Sequence, residues 1–398
     1  MRLRTPEVTP ANLAAPHVAQ TLVSAAPRLI SAFPALGVTP KEGRDESRPG
    51  RQECLRHEDR LASNSTTSGV RTLFALLLLA LPLPAFAQYT LYACGSSTKD
   101  YVVGAKLPAS GIFVRSSSAG WRHAGFNHPF ISAFDFEPRD PSLVYAAAGN
   151  GLLRVTERGE RWKILTGNDV TELLDVAVDR NQAGTVYFAH TAGIQASHDG
   201  GTTWADASTG LRRKYTAALR VDSRRAGVLL AGTEQGVYRS ENGGERWKLA
   251  GAAGIQVLHI EQSPHDPCFW LASTEGGGLF ASTDCGVTFE SNGNLGVGRN
   301  IYDLAFDPSS PNRIAVAGWG VGVAVSEDRG KTWQVRNAGL PSANVWSVAF
   351  DPGQSGRLYT SVHQDAVYVS NDSGQTWRKD GLTGSSIFRM RFVPEVAK

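Results

Sequence analysis

Seven times between residues 116 and 377 the chain returns to one short pattern, and a unit that repeats this closely leaves few folds open to it. Three copies are complete: Ser197, Asp199, Gly201, Thr203 and Trp204; Ser326, Asp328, Gly330, Thr332 and Trp333; and Ser370, Asp372, Gly374, Thr376 and Trp377. Two are weaker, one with Ser240, Asn242, Gly244 and Trp247, the other with Ser282, Asp284, Gly286 and Phe289. Two are degenerate, around Glu157 to Trp162 and Ser116 to His123. The acidic position falls at 118, 157, 199, 242, 284, 328 and 372, with spacings of 39, 42, 43, 42, 44 and 44. A unit of that size cannot bury a core alone, so its stability must come from packing against its neighbours.

Each unit has one grammar. A strand such as Tyr302 to Phe306 or Trp346 to Phe350 ends in an Asp-Pro turn; a second strand follows, a short loop leads to a third, and the motif turns into a fourth at its aromatic residue. Four short strands per ~43 residues is the size of a propeller blade, so an all-β, seven-bladed β-propeller with four-stranded antiparallel blades is expected. Tyr89 to Ala93 reads as a second-type strand with no first strand before it, and Ile387 to Pro394 as a first-type strand with no blade after it. The C-terminal strand is therefore expected in blade 1, where it removes the open edge of the ring.

Upstream of the repeats, residues 71–87 read as a secretory signal peptide: Arg71, an apolar run from Leu73 to Leu83, then Ala85 and Ala87 as a small-x-small cleavage signal. The run is far shorter than the ~20 residues needed to span a bilayer, so no integral membrane span is expected. Residues 1–70 show neither helical nor strand periodicity and read as a disordered leader, either a mis-assigned start with translation beginning near Val70 or a real pro-segment. The domain then covers 88–398, exported to the periplasm or secreted.

The split changes the charge. Of the 40 Lys and Arg and 37 Asp and Glu, 10 and 7 precede Gln88, leaving 30 of each and no net charge. A neutral domain has no sequence-wide reason to bind nucleic acid. Its cysteines are Cys94, Cys268 and Cys285. Export permits a disulfide, and Cys268 and Cys285 fall in the same blade; Cys94 reads as a buried thiol. Three cysteines without close Cys or His spacing make no zinc site, and no cofactor is called for.

The pattern Ser-x-Asp-x-Gly-x-Thr-Trp resembles the Asp box, or BNR repeat, over about 89–396. The resemblance implies that the boxes are structural staples on the side away from the ligand face. Three groups share it. Sialidases also carry an Arg-Ile-Pro motif, which this chain lacks, and a catalytic tyrosine; Tyr92, Tyr145, Tyr187, Tyr238, Tyr359 and Tyr368 instead recur at strand positions as packing residues would. Xyloglucan-type hydrolases place one catalytic Asp on each of two propellers, whereas these repeats make one. The photosystem II assembly factor-like family, a signal peptide followed by one seven-bladed ring, is the most similar in architecture. It implies a non-catalytic scaffold or assembly factor that binds proteins; a glycoside hydrolase or carbohydrate-binding propeller is the alternative, and a monomer is expected.

A protein partner or glycan is expected on the face opposite the boxes, where off-pattern residues gather. Arg212, Arg213 and Lys214, with Arg299 at the position aligned with Lys214, form a candidate basic patch. Trp319 and His363 are ligand-facing candidates by loop position, together with Glu234, Glu275 and Asp365; the segment from Ser96 to Ser110 is a candidate lid or partner arm. Aligning the first strands puts Asp175, Asp303 and Arg389 at one position, which reads as ion pairing between blades. No catalytic residue is assigned.

Overall fold

The computed structural model describes residues 88–395 apart from 98, 100–107, 117–119, 129 and 294. The leader and signal peptide lie outside the described residues, as do Ser118 and most of the segment from Ser96 to Ser110. The described chain is all β except for one turn of 3-10 helix at Glu157–Gly159.

Among the described residues six repeats form four antiparallel strands in chain order, the arrangement that short turns between neighbouring strands impose, and the repeat around Ser116 has three, Tyr89–Ser97, Ser110–Ser116 and Gly120–Ala124. The unit containing Trp162 runs Ile131–Glu137, Asp140–Ala148, Gly151–Thr156 and Arg161–Ile164. The first strands of the next units are Leu173–Val178, Thr216–Val221, Val257–Gln262, Val297–Phe306 and Val345–Phe350. The last strand, Arg378–Pro394, pairs through Arg378, Lys379, Gly381 and Ser385 with Asp365–Ser370 and through Ser385 to Pro394 with Tyr89–Ser97.

The second strands are the most buried. Ile314–Gly318 and Leu358–Val362 are buried at every residue, since both faces of each strand are covered by neighbouring units; their sequences are accordingly continuous apolar and small runs. Outer strands such as Gln334–Val335 are exposed. The core lies between units: Tyr145 and Ala147 pack on Val176, Val186 and Phe188 of the next unit, while Tyr187 and Ala189 pack on Leu219, Leu229 and Tyr238 of the one after. All six recurring tyrosines are buried.

Candidate functional site

The motif closes the turn from third to fourth strand by strictly local bonds. Gly201 N–H donates to Ser197 Oγ at 2.8 Å, Thr202 and Thr203 N–H each donate to Asp199 Oδ1 at 2.9 Å, and Thr203 Oγ1 donates to Asp199 Oδ2 at 2.7 Å. The same set recurs at Asp284; Asp328 and Asp372 keep it with one backbone N–H to Oδ1, from Thr332 and Thr376, and Asn242 has it in reduced form. The Thr203 N–H and hydroxyl, with Ser197, hold the Asp199 carboxyl down at about 2; the Thr332 hydroxyl and N–H do the same for Asp328. Such carboxylates are fully committed acceptors and poor proton donors. Gly201 has φ +87°, and a Cβ there would stand 2.6 Å from Leu165 of the preceding unit. The aromatic residue points the same way: Trp204, Trp247 and Trp377 donate through Nε1 to Leu165 O, Ala207 O and Arg336 O, each in the unit before. The boxes therefore join units.

Within each unit the turns after the first and third strands share one end. Box backbone confirms it, since Gly200, Gly243, Cys285, Arg329 and Ser373 N–H donate to Gly184, Gly227, Cys268, Asn312 and Gly356 O in the turn after the first strand. At the Cys285 copy the two residues that make this bond are also joined as the Cys268–Cys285 disulfide. Cys94 is a free buried thiol, its pKa pushed up to about 12 by burial.

The free edges of the first strands face the axis and cannot pair with one another, so side chains satisfy them. Asp135 accepts from Val178 N–H, Asp175 from Leu219 N–H, Asp303 from Val348 N–H and Ser347 Oγ from Met390 N–H, at 2.9 to 3.1 Å, each reaching one unit onward. Arginines neutralise the carboxylates so placed. Arg220 pairs with Asp175 at 2.7 Å and Glu261 at 3.1 Å; Arg389 pairs with Asp303 at 2.6 Å; Arg391 bridges Asp135 at 3.1 Å and Glu261 at 3.3 Å. His259 is packed among them. Its Nδ1 accepts from Arg389 at 2.5 Å, and its Nε2 lies 3.3 Å from Glu261 and 3.4 Å from Asp303, the arrangement of a neutral ring that donates from Nε2. Burial, with Arg389 and Arg220 alongside, holds the His259 pKa well below its ordinary value. Burial pushes the Asp303 carboxyl up against the pull of Arg389, whereas Arg220 and Arg391 overcome burial at Glu261 and bring it down. Asp175, Asp303 and Arg389 do occupy one register position, but Arg220, His259, Glu261 and Arg391 were missed; aligning each unit's first strand two residues further along would have found three of them.

This network floors a cavity of about 570 Å³ that opens at the box end of the axis. Pro138, Pro264, Pro308, Pro352 and Pro394 form its rim, and Phe136, Phe306, Phe350 and Phe392 its wall, all from the exits of the first strands.

At the opposite end each first strand bulges once, and the extra residues, Ser132, Leu174, Ala217, Leu258, Tyr302, Trp346 and Phe388, are each half-buried between buried neighbours. Trp319 and His363 come together here, with ring centres 5.0 Å apart, and both pack on Trp346, whose Nε1 donates to His363 Nδ1 at 2.9 Å. Burial lowers the His363 pKa. Arg299 joins this sector by donating to Gly320 O. Arg212, Arg213 and Lys214 are exposed; Arg213 stands 3.6 Å from Glu234, and Lys214 stands 3.9 Å from Asp206. Asp365 pairs with Lys379 at 3.1 Å. The expected basic patch thus resolves into local pairs in one unit and an arginine beside aromatic rings in another.

Neither a protein-family model nor a curated protein matches the sequence. Solved structures do. A GH74 xyloglucanase from Xanthomonas campestris superposes with a TM-score of 0.54 at 20% identity, covering 63% of this chain and 45% of that one. YCF48 from Cyanidioschyzon merolae gives 0.51 at 17%, covering 64% and 85%. The extracellular domain of BT4673 from B. thetaiotaomicron gives 0.52 at 14%, covering 72% and 40%. The chain spans less than half the length of the GH74 enzymes it matches. At these identities the likeness speaks for the fold alone, and with the antiparallel four-stranded units and their box turns it makes this chain a β-propeller.

Proposed function

We propose that the protein is an exported, non-catalytic propeller that binds other proteins and holds them as a scaffold or assembly factor in the cell envelope. We take it to be a seven-bladed ring closed by its C-terminal strand. The pairing of Arg378–Pro394 with both Asp365–Ser370 and Tyr89–Ser97 supports closure. One observation carries the functional reading: among the described residues, the axial carboxylates are tied to arginines or backbone N–H groups, and the box aspartates to their own turns. Glycoside hydrolysis needs two carboxyls ~5–9.5 Å apart that face a bound sugar, one of them protonated. The near-complete coverage of YCF48, against less than half of a xyloglucanase, favours a protein of one-ring size.

The alternative, a glycoside hydrolase, draws on one feature. Asp303 is pushed up and Glu261 down at the floor of one cavity, the divergence an acid and its partner require. Assay of the purified protein on sialosides and xyloglucan, run beside cross-linking capture in the native envelope, separates the two. The scaffold reading predicts no turnover and a cross-linked protein partner. Turnover abolished by Glu261→Gln or Asp303→Asn would replace it with the hydrolase.

A further inference from the structure

The end of the axis opposite the boxes carries a continuous aromatic surface. Tyr302, Trp346 and Phe388 are the bulged residues of three successive first strands, and Phe130 enters the next. Their ring centres follow one another at 4.4, 5.6 and 6.0 Å, with Trp319 at 5.7 Å and His363 at 5.8 Å from Trp346. All six are half-buried, so each keeps part of its ring in solvent. Rings in contact leave no cage between them; they make a platform, which suits an extended chain better than a compact ligand.

Polar groups along the platform select the chain. Trp346 Nε1 donates to His363 Nδ1, which places the imidazole proton on Nε2. Asn300 donates to the Tyr302 hydroxyl at 3.3 Å, which leaves that hydroxyl its own proton to give. Neither proton, nor that of Trp319 Nε1, meets an acceptor among the described residues. Asn344 Oδ1, beside Trp319, already accepts from Gly320 N–H at 3.2 Å. The platform is therefore rich in donors. A sugar would set hydroxyl donors against it, and an ordinary peptide its N–H groups. A proline segment brings carbonyl acceptors without N–H groups, lays apolar rings on aromatic faces, and is already extended as polyproline II. One end of the platform is acidic. Glu275 lies in register with Asn300, next to Tyr302, and is exposed without an ion pair among the described residues. The nearby Arg299 is turned to Gly320 O.

We propose that this end binds a proline-rich segment of a partner protein, its prolines on the rings of Tyr302, Trp346 and Trp319 and a flanking arginine at Glu275. The inference rests on the scaffold reading and gives its partner a chemistry.

The test is calorimetric titration of the full chain with a proline peptide ending in arginine, the same peptide ending in glutamate, a glycine–serine peptide ending in arginine, and cellohexaose. The proline–arginine peptide should bind at least about tenfold more tightly than the glycine–serine peptide and the sugar, and about fivefold more tightly than the glutamate form. Trp319→Ala, checked for an unchanged folded spectrum, should weaken it at least about tenfold. Glu275→Gln, an exposed substitution that leaves the fold intact, should erase the preference for arginine over glutamate. Equal binding of the glycine–serine peptide, no binding of either proline peptide, an affinity unchanged in Trp319→Ala, or an arginine preference that survives Glu275→Gln would each overturn the proposal. Tighter binding of cellohexaose, lost in Trp319→Ala, would give the platform to a glycan instead. A protein partner cross-linked in the envelope alongside any of these failures would leave the scaffold reading standing without this one.

Discussion

The box turns and the axis put the same residue types to opposite uses. In a box, Asp199 takes its hydrogen bonds from residues two to four positions away and stays at the surface, so the arrangement is copied wherever the pattern is copied. At the axis, Asp175 reaches Leu219, 44 residues on, and Asp303 meets Arg389, 86 residues on; both carboxylates are buried. Register repeats there, but identity does not: the position of Asp303 is occupied by Ala133, Asp175, Ala218, His259, Ser347 and Arg389 in the other units. The repeated Ser, Asp and Thr of a box therefore mark hydrogen bonding that one turn completes by itself. Variation at an aligned position marks chemistry that units complete together, and there the protein has its individual charge pattern and its cavity.

The largest effect should come from cutting the axis at its seam. Truncation before Ile387 removes the strand that pairs with Tyr89–Ser97 and takes Arg389 and Arg391 with it, stranding Asp303 and exposing the edge at Cys94. The melting temperature followed by circular dichroism should fall by more than about 10 °C. An unchanged value would mean that the two ends of the array do not hold each other.

Asp303→Ala comes next. It leaves Arg389 buried without its carboxylate and Val348 N–H without its acceptor, and should cost about 3–5 kcal/mol in urea denaturation. Its counterpart in a box, Ser370→Ala, removes the acceptor of the buried Gly374 N–H and should cost about 1–3 kcal/mol. If the box variant were the more damaging of the two, the contrast between local and shared chemistry would be reversed.

The same contrast explains what could be read in advance. Four strands per repeat, the box geometry around Asp199 and the packing role of Tyr187 follow from a pattern that lies within a few dozen residues, so the sequence displays it directly. Loop position alone puts Trp319 and His363 at one end, where their rings pack together. The pairing of Arg391 with Asp135 spans 256 residues and depends on the rotation between units, which no spacing encodes. The bulge before each axial residue was legible in principle: the triplets Leu173 to Asp175, Ile301 to Asp303 and Val345 to Ser347 share a buried aliphatic, a half-buried residue and a polar one. It went unread because a bulge adds a residue without interrupting the strand.

The finest separation of the two regions is by pH, and its sign follows from the direction of each shift. His259 is neutral in the fold and held well below its ordinary value by burial and two arginines, so below about 6.5 the unfolded chain takes up a proton that the folded chain refuses. Stability is therefore lost as pH falls from that point, by about 1.4 kcal/mol per unit for each such histidine. His128, His190 and His363 are lowered by burial too and add to the slope. His259→Gln keeps an acceptor toward Arg389 and a donor toward Glu261 while removing the titration. Between pH 7.5 and 5.5 it should lose about 1 kcal/mol less than the parent chain in denaturant unfolding. The box carboxylates act lower down. Asp199 and Asp328, held at about 2, contribute stability that is complete above the ordinary carboxylate value and disappears only as pH falls through their own, in the acid range where Glu261, also lowered, joins them. The axis should thus weaken first and the boxes later. A His259→Gln profile that overlays the parent between pH 7.5 and 5.5 would show that His259 takes up its proton as readily in the fold as in the unfolded chain, and a parent that gained on the variant as pH falls would show the ring nitrogen beside Arg389 already protonated in the fold, so that the axis would carry one more positive charge than its hydrogen bonds assign to it.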